Sequence, residues 1–282
     1  MYREWTESTL KRFLKEGRGT GRGTDYKPWL QVQDISSQGR STRVFSHKLQ
    51  RVVHLMSDLQ LNYFNCLEFD SHILEFKEQF PLLDFHELDL GLDKDLQKRI
   101  FDKETHVPHM QIVTFLITRL NEKGEEFQQA RAIKLSSELD KKATIDRLEI
   151  QRRYFEQKGI DFGVVTEKEI NKELSRNIGW VMTAFDIRDY PDLNKNISAI
   201  KSDLESHLYN YPAEKLQKVL QRIESAYHLD DGTGLVLFKH LIATKQISVN
   251  MARKLDPSNN VEWFEIEINN DDVRRDDYAV GG

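Results

Sequence analysis

Between residues 56 and 69 the apolar positions Met56, Leu59, Tyr63, Phe64 and Leu67 recur at helical spacing, which predicts an amphipathic helix opening near Ser57. The stretch "ILEFKEQF" then alternates, with Leu74, Phe76 and Phe80 near one face, the pattern of a half-buried strand. "QIVTFLITRL" (111–120) is apolar and rich in β-branched residues, and "FQQARAIKL" (127–135) follows it across the turn "NEKGEE", so the two predict a β-hairpin. A charged helix is expected over 140–158, with Ile145, Leu148 and Phe155 inward and Gly159 as its stop. "IDFGVVT" reads as another strand, and "TEKE" (166–169) as a capping box opening the next helix. Helix, three strands, helix and strand describe a mixed α/β core ending near residue 165.

Upstream, "ESTLKRFLKE" (7–16) predicts a short helix, and the four glycines and proline of "GRGTGRGTDYKP" impose an irregular loop. Downstream the grammar changes. Helices are expected near 192–208, 213–228 and 234–245, followed by the strand-like runs "QISVNMARKL" and "NVEWFEIEI" across the turn residues "DPSNN". Three helices and a closing hairpin are the layout of a winged helix. The expected organisation is a basic N-terminal segment at 1–55 packing on the core, the core itself at 56–165, and a winged-helix-like domain with an acidic tail at 166–282.

Charge sharpens this division. Residues 1–55 carry eleven Lys or Arg against five Asp or Glu, although the chain as a whole has a net charge of −5. Such a segment suits a phosphate backbone, with Arg18, Arg22, Lys27, Arg40 and Arg43 as candidate DNA contacts. On charge alone a solvated basic surface, or a plain linker in the glycine-rich loop, fits equally well. The loop's spacing matches neither a P-loop nor a dinucleotide fingerprint. No apolar run is long enough for a membrane span, and "MYREWTESTLKRFL" lacks the continuous apolar stretch of a signal peptide, so a cytoplasmic protein is expected. Cys66 is the only cysteine and falls on the apolar side of its helix, which excludes a disulfide framework.

Three stretches carry a family resemblance: "EGRGTGRGTDYKPWLQVQDISSQGRSTRVFSHKLQRVVHLMSDLQ", "FKEQFPLL" and "DRLEIQRRYFEQKGIDFGVVTEKEIN". Across roughly residues 10–180 the chain resembles the TnsA subunits of the heteromeric TnsA–TnsB cut-and-paste transposases. The resemblance implies a restriction-endonuclease-like N-terminal domain that cleaves the 5′ ends of the transposon while a TnsB subunit acts on the 3′ ends. It also implies a C-terminal domain that docks a TnsC ATPase. Transposon-end DNA, a TnsB-like transposase and a TnsC-like ATPase are therefore the expected partners, with no membrane.

The family pattern supplies a Glu on the first core helix, an Asp on the first hairpin strand and Gln-x-Lys on the second. In this sequence the matching positions hold Gln60, Thr114, Ala132 and Lys134. Mg²⁺ dehydrates reluctantly and needs oxygen ligands that include one or two carboxylates. An amide, a hydroxyl and a methyl group bring no anion, and an ammonium about 4 Å from a cation opposes it by at least roughly 4 kcal/mol at an effective dielectric near 20. No cofactor is therefore expected, and neither "HMQIVTFLIT" nor "QQARAIKL" contains an Asp or Glu that a shifted alignment could supply. Asp58 points to a different side of the helix from Gln60. The pair His106 and His109 in "HVPH" lacks a third ligand for a softer metal such as Zn²⁺. The leading expectation is a TnsA-like DNA-binding component with a degenerate centre. The alternative is an active endonuclease with relocated ligands and Mg²⁺, and a third reading is a sequence-specific DNA-binding module acting through the winged helix.

Overall fold

The computed structural model describes residues 6–34, 40–101 and 106–269; the acidic tail expected at the C-terminus lies almost wholly outside the described residues. The chain forms two compact units that meet in sequence between Ile170 and Asn171.

The first unit opens with helix α1 (Glu7–Lys15), capped by Thr6, and two 3-10 turns (Gly23–Asp25 and Val32–Asp34). Strands β1 (Thr42–Ser46) and β2 (Arg51–Leu55) pair antiparallel. Helix α2 (Asp58–Phe69) precedes β3 (Ile73–Pro81), a short helix α3 (Lys94–Gln97), β4 (Ile112–Leu120) and β5 (Glu126–Ile133). Helix α4 (Lys142–Gln157) then crosses over to β6 (Asp161–Val165). The central sheet has the order β3-β4-β5-β6, antiparallel except for the β5–β6 pair, whose parallel register requires the α4 crossover. This is the mixed α/β core that the periodicities predict.

Two apolar clusters divide along the strands. Phe115 belongs with α2 residues Leu59, Tyr63, Phe64 and Leu67, whereas its neighbour Leu116 belongs with Leu148, Tyr154 and Phe155 of α4, as a period of two demands. The fully buried Phe76 and Phe115 meet edge to face at 6.0 Å, and each such ring contributes about 1.5–3 kcal/mol by leaving water. Ile145 is not part of this core; it is exposed on α4. Gly159 does stop that helix, at φ +66°.

The expected shared face of Leu74, Phe76 and Phe80 does not form. Leu74 is exposed, Phe76 joins the α2 cluster, and Phe80 packs with the α4 cluster. The cause is local: the register shifts between Ile73 and Glu75, and Gln79 takes a positive φ of 49° within the strand. The "TEKE" pattern also acts differently from expectation. Glu169 accepts from the Thr166 N–H at 2.6 Å and its hydroxyl at 2.7 Å, but this closes a turn. The next helix starts later because the Asn171 side chain accepts from the N–H groups of Glu173 and Leu174.

The second unit contains α5 (Lys172–Met182), α6 (Pro191–Lys195), α7 (Ile197–Asn210), α8 (Leu216–Tyr227) and α9 (Thr233–Ala243). Leu204, Val219, Ile223, Leu237, Phe238 and Phe264 are completely buried in it. A Cβ on Gly234 would lie 2.9 Å from the Leu220 carbonyl oxygen, so a glycine there lets α9 approach α8 closely. The two expected closing strands shrink to β7 (Ile247–Ser248) and β8 (Glu267–Ile268), and Val261–Phe264 is a 3-10 helix instead. An isolated bridge joins Lys215 to Asn260. Among the described residues no helix is long and apolar enough to cross a membrane.

Candidate functional site

The site is assembled from the first turn of α2 outward. Ser57 caps the helix by accepting the Gln60 N–H at 3.2 Å, and the Gln60 side-chain oxygen accepts the Met56 N–H at 2.8 Å. This reciprocal pair is close to a capping box, which "SDLQ" spells at the spacing Ser-x-x-Gln. A backbone N–H only donates, so the Gln60 atom facing Met56 must be its oxygen. The same oxygen also accepts from Nε2 of Gln79 at 3.0 Å. Both usual acceptor directions of Gln60 are thus committed inside the protein, and among the described residues no acceptor is recorded for its NH₂ group.

Gln79 links the helix to the sheet. It is buried, and it lies between the pairs Glu78↔Phe115 and Phe80↔Val113, which leaves it opposite Thr114 of β4. Thr114 is buried in turn, and its Oγ1 accepts the Ile133 N–H at 3.0 Å. That bond forms where the β4–β5 register ends at Phe115↔Arg131 while β5 continues against β6 through Ala132↔Val164 and Ile133↔Val165. The hydroxyl therefore satisfies a backbone donor that the parting strands would leave unpaired. Ala132 is buried in the α4 cluster. Lys134 follows directly, its N–H donating to the Val165 carbonyl at 3.0 Å, and it is half-buried. Among the described residues its ammonium makes no hydrogen bond or ion pair.

Gln60 bonds Gln79, Gln79 lies opposite Thr114 in the β3–β4 register, and Thr114 accepts the N–H of Ile133, the residue before Lys134, whereas Ala132 packs in the α4 cluster. Their donor set does not fit Mg²⁺. The amide and hydroxyl oxygens are already hydrogen-bonded acceptors, Ala132 offers nothing, and Lys134 is a cation. Asp58 is exposed and pairs with Arg40 at 3.1 Å. Among the described residues no group of three His, Cys, Asp or Glu side chains is placed to hold a metal ion, and His106 is exposed at a positive φ of 54°. Burial pushes the Cys66 thiol up to about 12, which removes it as a nucleophile or ligand at neutral pH.

The basic candidates differ in exposure and partners. Arg18 requires correction: it is only 6 % exposed, donates to the Trp29 carbonyl at 3.0 Å, pairs with Asp34 and Glu16, and stacks over Phe13. It holds the N-terminal fold and cannot also meet a surface phosphate. Arg22 is 75 % exposed but pairs with Glu75 at 3.3 Å. Glu75 lies four residues from Gln79, about 13 Å along a strand. Arg40 is 70 % exposed, and its partner Asp58 is two residues from Gln60. Arg43 is exposed and donates to Gln33 at 3.3 Å, and exposed Lys27 donates to the Glu16 carbonyl at 3.1 Å. Arg40 is thereby fixed at the start of α2, and Arg22 belongs to the other end of β3.

Two features escaped the sequence reading. Gln79 had no periodic signal, since a positive φ at glutamine follows from its surroundings. Arg51 and Glu78 form a buried bidentate pair at 2.8 and 2.7 Å, with Arg51 also donating to the carbonyls of Gly23 and Phe76. Burial pushes the Glu78 carboxyl up, and Arg51 opposes that shift.

Comparison with known proteins accounts for both units. Residues 70–167 match the family model described as TnsA-like endonuclease N terminal, and residues 169–251 match the one described as TnsA endonuclease C terminal. The chain is 34 % identical over 247 residues to the transposon Tn7 transposition protein TnsA of Escherichia coli, a match covering 88 % of this chain and 87 % of that protein.

Proposed function

The chain belongs to the TnsA family of transposition endonucleases, and from that premise we propose that it is a DNA-transposition component whose nuclease centre has become a scaffold. The protein binds transposon-end DNA and works beside a TnsB-like transposase and a TnsC-like ATPase, the latter through the C-terminal unit. The observation that carries this reading is the use made of Gln60 and Thr114. By the resemblance these two residues stand at positions where the family carries carboxylates, and the side-chain oxygen of each accepts a local backbone N–H. A phosphodiester needs an activated water and a counter-charge for the developing oxyanion, which a divalent ion ordinarily provides in such enzymes. Here the four expected positions supply one ammonium and no carboxylate.

The C-terminal unit is read as winged-helix-like. Support comes from the succession α7, α8, α9, with the Lys215–Asn260 bridge and the β7–β8 pair around it. Its proposed role is protein contact.

The test is cleavage of a transposon-end duplex by the purified chain in Mg²⁺ or Mn²⁺, with and without a TnsB-like partner. The expected result is intact 5′ ends in every condition. Cleavage that disappears in Lys134→Ala would establish an active endonuclease instead.

A further inference from the structure

The geometry points to a reversal of the centre's charge preference: we infer that Gln60 and Lys134 form a metal-independent site for a DNA phosphate. The inference rests on the reading that this chain binds DNA.

The first argument is the direction of the Gln60 amide. Met56 N–H fixes its oxygen inward, and Gln79 Nε2 donates to that same oxygen. The remaining NH₂ therefore presents donors where a glutamate would present an acceptor. The second is the ammonium of Lys134, half-buried and without an ion pair among the described residues. The two residues belong to neighbouring backbone segments: Gln60 bonds Gln79, which lies opposite Thr114 in the β3–β4 register, and Thr114 accepts the N–H of Ile133, the residue before Lys134. The third is the lack of any carboxylate among the four positions to repel an anion. An amide donor and an ammonium beside a buried polar wall match a phosphodiester oxygen, as charge-assisted hydrogen bonding requires. A metal-dependent centre would need the opposite polarity. Exposed Arg40 pairs with exposed Asp58 at the start of α2, so this ion pair adds no net charge to the site.

The experiment measures binding of the full-length chain to a labelled transposon-end duplex in EDTA, over a salt series from about 50 to 200 mM. Wild type is expected to bind equally well in EDTA and in Mg²⁺. Lys134→Ala should weaken binding by about tenfold and reduce the slope of log affinity against log salt by about one. Gln60→Glu keeps both acceptor bonds of that side chain, so it should melt like wild type. It should nevertheless bind more weakly in EDTA and recover affinity when Mg²⁺ is added. If wild type binds and both variants match it in affinity and slope, the phosphate site is refuted while the DNA-binding reading stands. If wild type binds only with Mg²⁺, metal independence is refuted. Failure of wild type to bind in either buffer overturns the DNA-binding reading and this inference together.

Discussion

Two polar regions of the first unit lie along the same strand and have opposite character. At Glu78 a carboxylate is completely buried, gripped by Arg51 and accepting the His54 N–H at 3.2 Å. One residue further on, at Gln79, begins the candidate centre, in which Gln60, Thr114 and Ala132 are all uncharged. The difference lies in what each charge does for the fold. Arg51 ties the β1–β2 hairpin and the Gly23 carbonyl to β3, so either member of its pair leaves a buried charge behind when removed. A metal ligand holds no such contact, and an amide or hydroxyl of similar size keeps the local hydrogen bonds while abolishing the chemistry. On the proposed reading chemistry can be lost at the centre while the fold is kept, whereas loss of the charge at Glu78 breaks a buried ion pair.

The contrast breaks first at its structural end. Arg51→Ala should destabilise the protein by about 3–5 kcal/mol, because Glu78 stays buried without its partner; urea unfolding measures this, and a loss under 1 kcal/mol would show the pair to be dispensable. Thr114→Val removes the acceptor for Ile133 N–H and should cost about 1–3 kcal/mol, whereas Thr114→Ser should retain most of the stability. Gln60→Ala loses its part of the α2 cap and should cost about 1 kcal/mol, against little change in thermal midpoint for Gln60→Glu.

The smallest effect is a pH dependence in the N-terminal segment. Burial lowers the His54 pKa below the ordinary histidine value, as do the nearby Arg43 and Arg51, and Nδ1 accepts the Val32 N–H at 3.2 Å. The unfolded chain therefore takes up a proton more readily than the folded one. The stability that neutral His54 supplies is present above the ordinary value of about 6.5 and declines as pH falls below it. A small fall in melting temperature from pH 8 to pH 5.5 should be absent in His54→Gln. Glu149, held at about 2 by hydrogen bonds from Arg152 and then Arg153, keeps its stabilisation in that window. Its contribution disappears only as pH falls from the ordinary carboxylate range towards that value.

Where a feature depends on neighbours along the chain, it was legible in the sequence. Apolar spacing marked α2, the β4–β5 hairpin and α4, and Ser57 marked a helix start. Features decided by distant contacts were not. Arg18 counts as a free basic residue until Asp34, Glu16 and Phe13 surround it. Gln79 sends Phe80 to the opposite apolar cluster from Phe76 through a backbone angle that alternation cannot reveal. The closing strands of the second unit were overextended because "VEWF" has the composition of a strand but forms a 3-10 helix.

The most direct measurement is a Mn²⁺ titration followed by electron paramagnetic resonance, on wild type and on the triple variant Gln60→Glu, Thr114→Asp, Ala132→Gln. The account predicts no saturable site at the centre in wild type, and a saturable one in the variant. Stoichiometric Mn²⁺ binding by the wild-type chain, lost when Gln60 and Thr114 are replaced by Ala and Val, would contradict it.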